Sequence, residues 1–420
     1  MSDAAARAPT DWKTDAMQQR IRRRYASERR FKLIGLSAVL ISAAFLAFLL
    51  ATMLANGARG FIQAEVRVDI DFAASSLFID PAVLQGPTAE AALATVDIEG
   101  TVRSAAQAQY GPGGADMLSE SAWLRVRSAI LDDPSLLARR ESFWLPASSD
   151  VDLAAKGDAA PEQERLYSQL EARDAVRTAF DANFLTGSDA TDPTAVGIWG
   201  AFKGSLLTML VTLALAFPIG VLSAIYLEEY APRNRWTDLI EVSINNLAAV
   251  PSIIFGLLGL AMFLNFMHLP RSAPIVGGLT LALMTMPVIV IAGRNAIKSV
   301  PPSIRDAALG VGASRIQVVF HHVLPLSLPG ILTGTIIGMA RALGETAPLL
   351  MIGMRAFIAS PPGGFTDPAT VLPVQIFLWS DEVSRGFVEK TSAAIIVLLV
   401  FLLAMNGIAI YLRNKFERRW

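Results

Sequence analysis

Long stretches without charged residues constrain this chain more than any other feature. A helix needs about 20 apolar residues to cross the hydrocarbon layer of a membrane. Five stretches reach that length without Asp, Glu, Lys or Arg: 33–55, 204–227, 242–267, 272–293 and 391–412. A sixth, 323–354, is equally apolar except for Arg341 and Glu345. We therefore predict an all-α polytopic membrane protein with six transmembrane helices, the first of them an uncleaved anchor.

The composition and the placement of positive charge predict that both ends lie in the cytoplasm. Hydrophobic residues make up 53% of the chain and charged residues 17%, which excludes a disordered chain, a nucleic-acid binder and a typical soluble enzyme. The first 32 residues contain nine Lys or Arg. Four more follow the last apolar stretch, at Arg413, Lys415, Arg418 and Arg419. Because cytoplasmic segments retain Lys and Arg, we expect cytoplasmic termini in a multi-pass protein of the plasma (inner) membrane.

Residues 56–198 form a different kind of segment, between the first two apolar stretches. They contain 11 Lys or Arg against 22 Asp or Glu, and they are long enough for a small folded domain on the outer side. Alternating residues at 64–72 predict a half-buried strand. The patterns at 117–131 and 161–184 predict amphipathic helices, and 186–196 has the composition of a linker. We expect an acidic α+β extracytoplasmic insert without an active site.

Residues 294–325 lie on the inner side, between the fourth and fifth predicted helices. A proline pair at 301–302 stops the preceding helix, because proline lacks the N–H group that a helix interior needs. Gly312 permits a sharp turn between two short helices. Ser314 is placed to cap the second one, which we expect to end at the Leu-Pro pair 324–325. Two short helices with apolar faces in water need a partner that covers them, so we favour a docking segment over a plain helical hairpin.

This segment resembles the EAA loop of ABC-importer permeases. The residues that carry the resemblance are Asp306, Ala307, Ala308, Gly312, Leu324 and Pro325. In that family the loop forms coupling helices that dock into a cleft of the ATP-hydrolysing subunits, so the resemblance implies an ATPase-coupling role for these residues. Two positions depart from the usual pattern: Asp306 replaces a glutamate, and His322 stands where an aliphatic residue is common.

Further motifs resemble the permease subunits of phosphate-specific ABC importers, the PstA type. They lie at 246–257, 329–334, 340–349 and 372–376. The resemblance covers about 199–420 and implies the type I ABC-importer permease architecture, with five transmembrane helices and the coupling loop 294–325 in this core. The predicted division of the chain is a basic cytoplasmic N-terminus at 1–32, an anchor helix at 33–55, the acidic domain at 56–198 and the permease core at 199–420.

Two charges inside the fifth predicted helix are candidate substrate contacts, because a charge within the membrane is costly and indicates a functional site by default. Arg341 lies about 22 Å along a helix that starts near Leu326. Glu345, four residues on, faces the same side. An arginine fork suits a phosphate oxyanion, and the glutamate would keep the empty path near neutral. The alternative is an ion pair that stabilises helix packing.

Thr346 and Arg294 complete the predicted substrate path. Thr346 follows Glu345 in the motif that resembles phosphate permeases. Arg294 ends the fourth predicted helix on the inner side. It is either a phosphate exit contact or an anchor of the kind that the positive-inside rule describes.

The sequence lacks the phosphate-binding loop of an ATPase, because no G-x-x-x-x-G-K-[ST] run occurs. We expect a non-catalytic transport subunit without cofactors, and ATP and Mg²⁺ bound by a partner ATPase. Without cysteine and with three histidines, the chain is not expected to bind a metal. The resemblance implies a second permease subunit (PstC-like), a dimer of ATPase subunits (PstB-like) and an extracytoplasmic phosphate-binding protein (PstS-like). The predicted function is half of the translocation path of an ATP-driven inorganic phosphate importer.

Other functions stay open from the residues alone. One is a permease for another oxyanion, such as molybdate, sulfate or phosphonate, since only the resemblance of 344–348 favours phosphate. Another is a membrane sensor, because an outer domain between two spans is a receptor layout, although the inner segments are too short for a signalling domain. A secondary transporter would need internal repeats, and the sequence shows no convincing repeat.

Overall fold

A computed structural model of the chain describes residues 14–75, 77, 79, 83–86, 89–158, 160–354 and 357–416. The chain divides into two compact units, Met1–Ala55 and Asn56–Trp420. The predicted positive charges at Arg418 and Arg419, and those within residues 1–13, lie outside the described residues.

A single long helix makes up the described part of the first unit. Helix α1 (Asp15–Gly60) runs for 46 residues, includes the predicted anchor 33–55 and ends in the second unit. The most apolar window of α1 has no residue buried within the chain, as expected for side chains that face lipid. Within the second unit, a Cβ on Gly60 would lie 2.5 Å from the Glu389 carbonyl oxygen, so the close approach of these backbones requires glycine.

An antiparallel sheet organises the part of the second unit that follows α1. Its strands are β1 (Ile62–Asp71), β2 (Arg140–Pro146) and β3 (Val176–Phe180), in the order β2-β1-β3. Around it lie α2 (Ala89–Leu93), α3 (Ile98–Tyr110), α4 (Ala122–Asp132), α5 (Ser149–Ala155), α6 (Pro161–Glu171) and α7 (Ala182–Thr186). Alternate residues of β1, from Ala64 to Ile70, are buried in one apolar core with residues of α3 and α4. This arrangement confirms the predicted half-buried strand.

The helix predicted over 161–184 is wrong beyond Glu171. The chain turns there, and β3 pairs with β1 instead. The spacing of Val176 and Phe180 fits one stripe of a helix, but tertiary context overrides it, because the backbone groups at the edge of β1 need hydrogen-bond partners. The other predicted helix, at 117–131, is present but begins only at Ala122.

The rest of the second unit is helical. Its elements are α8 (Trp199–Ile225), α9 (Arg235–Ala248), α10 (Ser252–Gly259), α11 (Pro274–Lys298), α12 (Pro302–Gly310), α13 (Arg315–Gln317), α14 (Leu324–Leu343), α15 (Ala347–Met351), α16 (Leu372–Ser380) and α17 (Gly386–Phe416). Turns of π-helix at Tyr226–Tyr230, Leu260–Phe266 and Val318–Val323 extend α8 and α10 and join α13 to α14. Helix α11 packs between α8 and α14, and α14 packs on α17.

Five helices of the described residues are long and apolar enough to cross a membrane, and a bent pair could provide a sixth span. The pair occupies the predicted span 242–267: α9 and the run from Ser252 to Phe266 meet at an angle of 101°. Pro251 explains the break, because proline removes a helix hydrogen bond and disfavours helical conformation in the residue before it.

The fifth predicted span also differs from the structure. The Leu-Pro pair 324–325 was expected to end the second short helix, yet a continuous helical run extends from Arg315 to Leu343. The π-helical turn before Pro325 provides a register change that accommodates the missing N–H group. The run then ends at Leu343, well before the predicted limit at 354, and the short helix α15 begins with Pro348 in its first turn.

The predicted linker 186–196 packs on the helical part. Trp379 of α16 donates its indole N–H to Asp189, with 3.0 Å between Nε1 and Oδ1. Thr194 is buried and donates to Ser119, 2.7 Å away. The segment therefore has fixed contacts with both the sheet-containing part and the helical part of the second unit.

Candidate functional site

The segment that resembles the EAA loop forms a helical hairpin. Helix α12 ends at Gly310, and Gly312 adopts a φ of +90°, a conformation that favours glycine. Ser314 accepts a hydrogen bond from Gln317 N at 3.3 Å, and the Gln317 side chain accepts one from Ser314 N at 2.9 Å. This capping box starts α13. The structure thus confirms the predicted turn at Gly312 and the predicted cap at Ser314.

The predicted coupling residues lie on different sides of this hairpin. Ala308 is buried in the core that α8, α11 and α14 share, with 6% exposure. Asp306, Ala307 and Gly312 are exposed. Leu324 and Pro325 are partly buried at the start of α14. The buried residue holds the hairpin to the helical core, and the exposed ones are accessible to a partner.

Large apolar side chains cover the outside of the hairpin. Four of them are strongly exposed: Leu309 at 47%, Val311 at 86%, Ile316 at 63% and Phe320 at 45%. A grouping of apolar side chains on a segment with polar neighbours marks an interaction surface. We call these four residues the hairpin face.

A set of ion pairs beneath the hairpin was not foreseen from the sequence. Arg305 of α12 binds Glu229, with 2.8 Å between Nη2 and Oε1, and donates to the Val300 carbonyl at 2.7 Å. Arg294 of α11 binds Glu228 through Nε and Glu241 of α9 through Nη2, the latter at 2.7 Å.

The sequence contains a signal for these pairs. Glu228 and Glu229 form an acidic doublet directly after an apolar span, at an inner boundary where basic residues are usual. Two carboxylates at such a boundary require cationic partners, and the neighbouring helices supply Arg294, Arg305 and, at 3.5 Å from Glu228, Lys298.

The candidate substrate residues Arg341 and Glu345 lie together where α14 ends. Arg341 is in the last turn of the helix, and Arg341 Nε lies 3.5 Å from Glu345 Oε1. The Glu345 N–H donates to the Ala342 carbonyl at 3.3 Å, which continues the helical turn past Leu343. The Arg341 side chain is 51% exposed and that of Glu345 is 19% exposed. Arg341 is therefore open to a ligand or a partner chain while it stays paired.

Thr346 directly precedes α15. Helix α15 connects the pair Arg341–Glu345 to the bent helices α9 and α10. Its carbonyl accepts from Leu350 N at 2.9 Å. A Cβ on Gly256 of α10 would lie 2.6 Å from the Pro348 Cα, so α10 and α15 are in close backbone contact. The contact brings the segment after the 101° bend next to the segment after Glu345.

Arg294 does not lie with the other predicted path residues. Helices α11 and α14 run antiparallel, since Gly330 lies against Ala296 and Gly334 against Ala292. Arg294 is therefore level with the α14 residue midway between these two glycines. That residue precedes Arg341 by about nine positions, which is roughly 14 Å along the helix. The structure brings Arg341, Glu345 and Thr346 together and separates Arg294 from them.

Comparison with known proteins gives two family matches. Residues 216–419 match the family described as binding-protein-dependent transport system inner membrane component. Residues 18–165 match a domain of unknown function, DUF3333. Most of the helical part of the chain and most of the sheet-containing part thus match two different family models.

Curated relatives are permeases. A probable ABC transporter permease protein, YqgI of Bacillus subtilis, is 34% identical over 185 residues, which are 44% of this chain and 61% of YqgI. The phosphate transport system permease protein PstA 1 of Mycobacterium tuberculosis is 34% identical over 38% of this chain and 51% of its own length. PstA of Yersinia pestis is 31% identical over 51% of this chain and 71% of its own length. The chain spans about half to three-fifths of the first curated relatives that it matches.

Among solved structures, a chain of the MetNI methionine ABC transporter in an inward-facing conformation superimposes with a TM-score of 0.41 and 16% identity, over 53% of this chain and 95% of that chain.

The match of residues 216–419 and the identity to the curated permeases agree with the sequence motifs. With its apolar helices, the protein is a multi-pass inner-membrane permease subunit and not an enzyme. The chain belongs to the family of binding-protein-dependent transport system inner membrane components and is one of its PstA-like permeases.

Proposed function

We propose that the chain is a permease subunit of an ATP-driven inorganic phosphate importer and forms half of its translocation path. The observation that carries the proposal is the pair Arg341–Glu345. Its atoms are 3.5 Å apart, and half of the Arg341 side chain is exposed on a chain built mostly of apolar helices. A charge at such a place is costly unless a partner or a polar path covers it. The relatives named phosphate transport system permease protein support phosphate as the substrate.

The geometry suits an oxyanion that is bound and then released. Five N–H donors of a guanidinium match the oxygens of a phosphate, and at 3.5 Å Glu345 holds Arg341 only weakly while the path is empty. Phosphate would take the place of the carboxylate, and the carboxylate would later help to expel it. Moderate binding of this kind is what conduction requires. The Thr346 hydroxyl adds a neutral donor beside the pair.

Arg294 has a different part in the proposal. Two carboxylates bind its guanidinium, and its side chain is 10% exposed. Of the two interpretations that the sequence left open, these contacts favour an anchor over a phosphate exit contact, because two carboxylates already balance the charge of Arg294 and little of its side chain is accessible to a substrate.

The hairpin face supplies the proposed contact with an ATPase. Val311 and Ile316 are the most exposed apolar residues of the hairpin, at 86% and 63%, and a cleft in another protein would remove them from water. ATP and Mg²⁺ would be bound by that ATPase. A second permease subunit would complete the path, and an extracytoplasmic phosphate-binding protein would deliver the substrate. Both termini would lie in the cytoplasm, with the divisions 1–32, 33–55, 56–198 and 199–420 as proposed from the sequence.

Reconstitution tests the proposal. The chain would be expressed with the proteins encoded beside its gene, inserted into liposomes and given ATP and labelled phosphate, sulfate or molybdate. We expect ATP-dependent uptake of phosphate that excess unlabelled sulfate and molybdate do not abolish. ATP-dependent uptake of sulfate or molybdate without phosphate uptake would replace the proposal with the other-oxyanion alternative. ATP hydrolysis without uptake of any of the three would contradict the phosphate proposal and exclude sulfate and molybdate as alternatives.

A further inference from the structure

The ion pairs beneath the hairpin connect α12 with α9 in a continuous series. Arg305 joins α12 to Glu229, the neighbouring Glu228 joins Arg294, and Arg294 joins Glu241 of α9. We propose that this series is a relay that transmits a displacement of α12 to α9. The inference rests on the proposed function in one respect, since it assumes that an ATPase moves α12.

Burial makes the relay a mechanical unit. The side chains of Arg294 and Glu228 are 10% and 11% exposed, and those of Arg305 and Glu229 are 22% and 13% exposed. Separating a buried pair leaves an uncompensated charge away from water, which is strongly unfavourable. The paired groups therefore follow one another when a helix shifts. The two glutamates are adjacent in one turn of π-helix, so a pull on Glu229 reaches Glu228 through a single peptide unit.

Additional contacts fix Arg305 to the end of α11. Its Nη2 donates to the Ile297 carbonyl at 3.0 Å and its Nη1 to the Val300 carbonyl at 2.7 Å. A cation is stabilised at a helix C-terminus, where carbonyl groups lack partners. Arg305 thus holds α12 against both α11 and the π-helical turn after α8.

Helix α9 is the element that can respond. No residue of α9 is buried, and within this chain α9 packs mainly on α11. Glu241 is 39% exposed, which makes its pair with Arg294 the most accessible contact of the relay. Beyond Pro251 the chain continues into α10, and Gly256 of α10 packs on the segment that follows Glu345 and Thr346. A shift of α9 is therefore passed towards the candidate substrate residues.

A structural anchor and a relay predict different results for the same variants. If the pairs only hold the fold together, neutralising Glu241 or Arg305 lowers ATP hydrolysis and phosphate uptake in parallel with the amount of folded protein. If they form a relay, ATP hydrolysis continues and uptake falls. Because the pairs act in series, breaking both ends then has no more effect than breaking one.

The first test compares Glu241→Gln, Arg305→Gln and the double variant in the reconstituted complex. We expect each variant to lower phosphate uptake per ATP hydrolysed about tenfold, the scale of a typical coupling between sites. The double variant should match the single ones. The control is Asp238→Asn, an exposed acid on the same helix, which should behave like the unchanged chain. Additive losses, parallel loss of hydrolysis and uptake, or unchanged coupling would each overturn the relay.

The second test measures a distance between helices, and its result is read beside the uptake assay. The chain has no cysteine, so Ser243→Cys on α9 and Ser299→Cys after α11 introduce two unique spin-label sites in the purified full-length protein. We expect Glu241→Gln to broaden and lengthen the distance distribution between the labels, and Asp238→Asn to leave it unchanged. A broadened distribution in Glu241→Gln, together with no phosphate uptake by the complex of the unchanged chain, would refute the phosphate proposal and keep the tie between α9 and α11. An unchanged distribution in a complex that takes up phosphate would refute the relay alone.

Discussion

Lys390 and Asp181 form a buried ion pair between the last helix and the start of α7. Lys390 Nζ lies 2.6 Å from Asp181 Oδ2, and the two side chains are 4% and 1% exposed. Lys390 also donates to the Gly60 carbonyl at 3.1 Å. Beside this pair, Lys156 Nζ binds Glu389 Oε2 at 2.8 Å. Two buried lysines therefore fix the sheet-containing part to the first turns of α17. Such buried pairs indicate a fixed attachment and not a flexible tether.

We predict that Lys390→Met destabilises this junction by roughly 3 kcal/mol, because it leaves the Asp181 carboxylate buried without its cation. The free energy of unfolding of the detergent-solubilised protein, followed by tryptophan fluorescence, measures the effect. Lys390→Met combined with Asp181→Asn should recover much of the loss. As a control, Glu141→Gln removes an exposed pair with Arg139 and should cost less than about 1 kcal/mol. Equal stability of Lys390→Met and the unchanged chain would show that the pair does not hold the junction.

Asp189 makes the same junction sensitive to pH. Burial raises the pKa of its carboxyl above the ordinary value of 3.8, nearby Glu382 raises it further, and the hydrogen bond from Trp379 counteracts the shift. The folded state therefore favours the protonated form. Its stabilising contribution is present at a pH below 3.8 and is lost as the pH rises through the raised pKa of the folded state.

Asp189→Asn should remove this dependence, because the amide oxygen still accepts from Trp379 and carries no charge. We expect the melting temperature of the variant to exceed that of the unchanged chain by an amount that grows from pH 4 to pH 7. Asp116→Asn, at an exposed acid, provides the comparison and should show a constant difference. A difference in melting temperature between Asp189→Asn and the unchanged chain that shrinks with rising pH would mean that the folded state lowers the pKa of Asp189.

The sequence predicts those elements of the structure that local signals determine. It does not predict those that tertiary contacts determine. Five long apolar helices, the strand at β1, the turn at Gly312 and the cap at Ser314 follow from local patterns, and the structure has them, whereas the apolar stretch 242–267 is broken at Pro251. The single helix over 161–184 is wrong because the edge of β1, distant in the sequence, takes Val176–Phe180 as a partner. The helix stop at Pro325 is wrong because a π-helical turn accommodates the proline.

The candidate site divides in the same way. The i, i+4 spacing of Arg341 and Glu345 predicts their contact, since it depends on one helix. The pairs of Arg294 with Glu228 and Glu241 join three helices, and periodicity within one segment carries no information on such contacts.

Gly312 and Gly310 allow a matched test of the hairpin geometry. A Cβ on either residue would meet no atom within 4 Å, but Gly312 alone has a φ of +90°. Gly312→Ala therefore costs about 1–2 kcal/mol of backbone strain and should change the angle between α12 and α13. We expect it to lower ATP hydrolysis by the reconstituted complex several-fold, while Gly310→Ala has little effect. The same rate in both variants would argue against a role for the turn in coupling.

The hairpin face can be compared with an equally apolar residue elsewhere. Val311 and Val383 are 86% and 97% exposed. If an ATPase covers the hairpin face, Val311→Asp places a charge in an interface that excludes water, which is costly, and the ATPase should no longer co-purify with the permease. Val383→Asp lies outside that face and should leave co-purification intact. Loss of the ATPase in both variants would indicate a general folding defect, and its retention in both would contradict docking at this face.

Phosphate uptake by Arg341→Ala tests the central claim most directly. The matched control is Arg103→Ala, because Arg103 also pairs with a glutamate four residues away and has the same 51% side-chain exposure, but lies on α3. We predict that Arg341→Ala reduces ATP-dependent phosphate uptake at least a hundredfold at normal membrane abundance, whereas Arg103→Ala retains it; such a loss corresponds to about 2.7 kcal/mol. Uptake by Arg341→Ala at the rate of the unchanged chain would contradict the account.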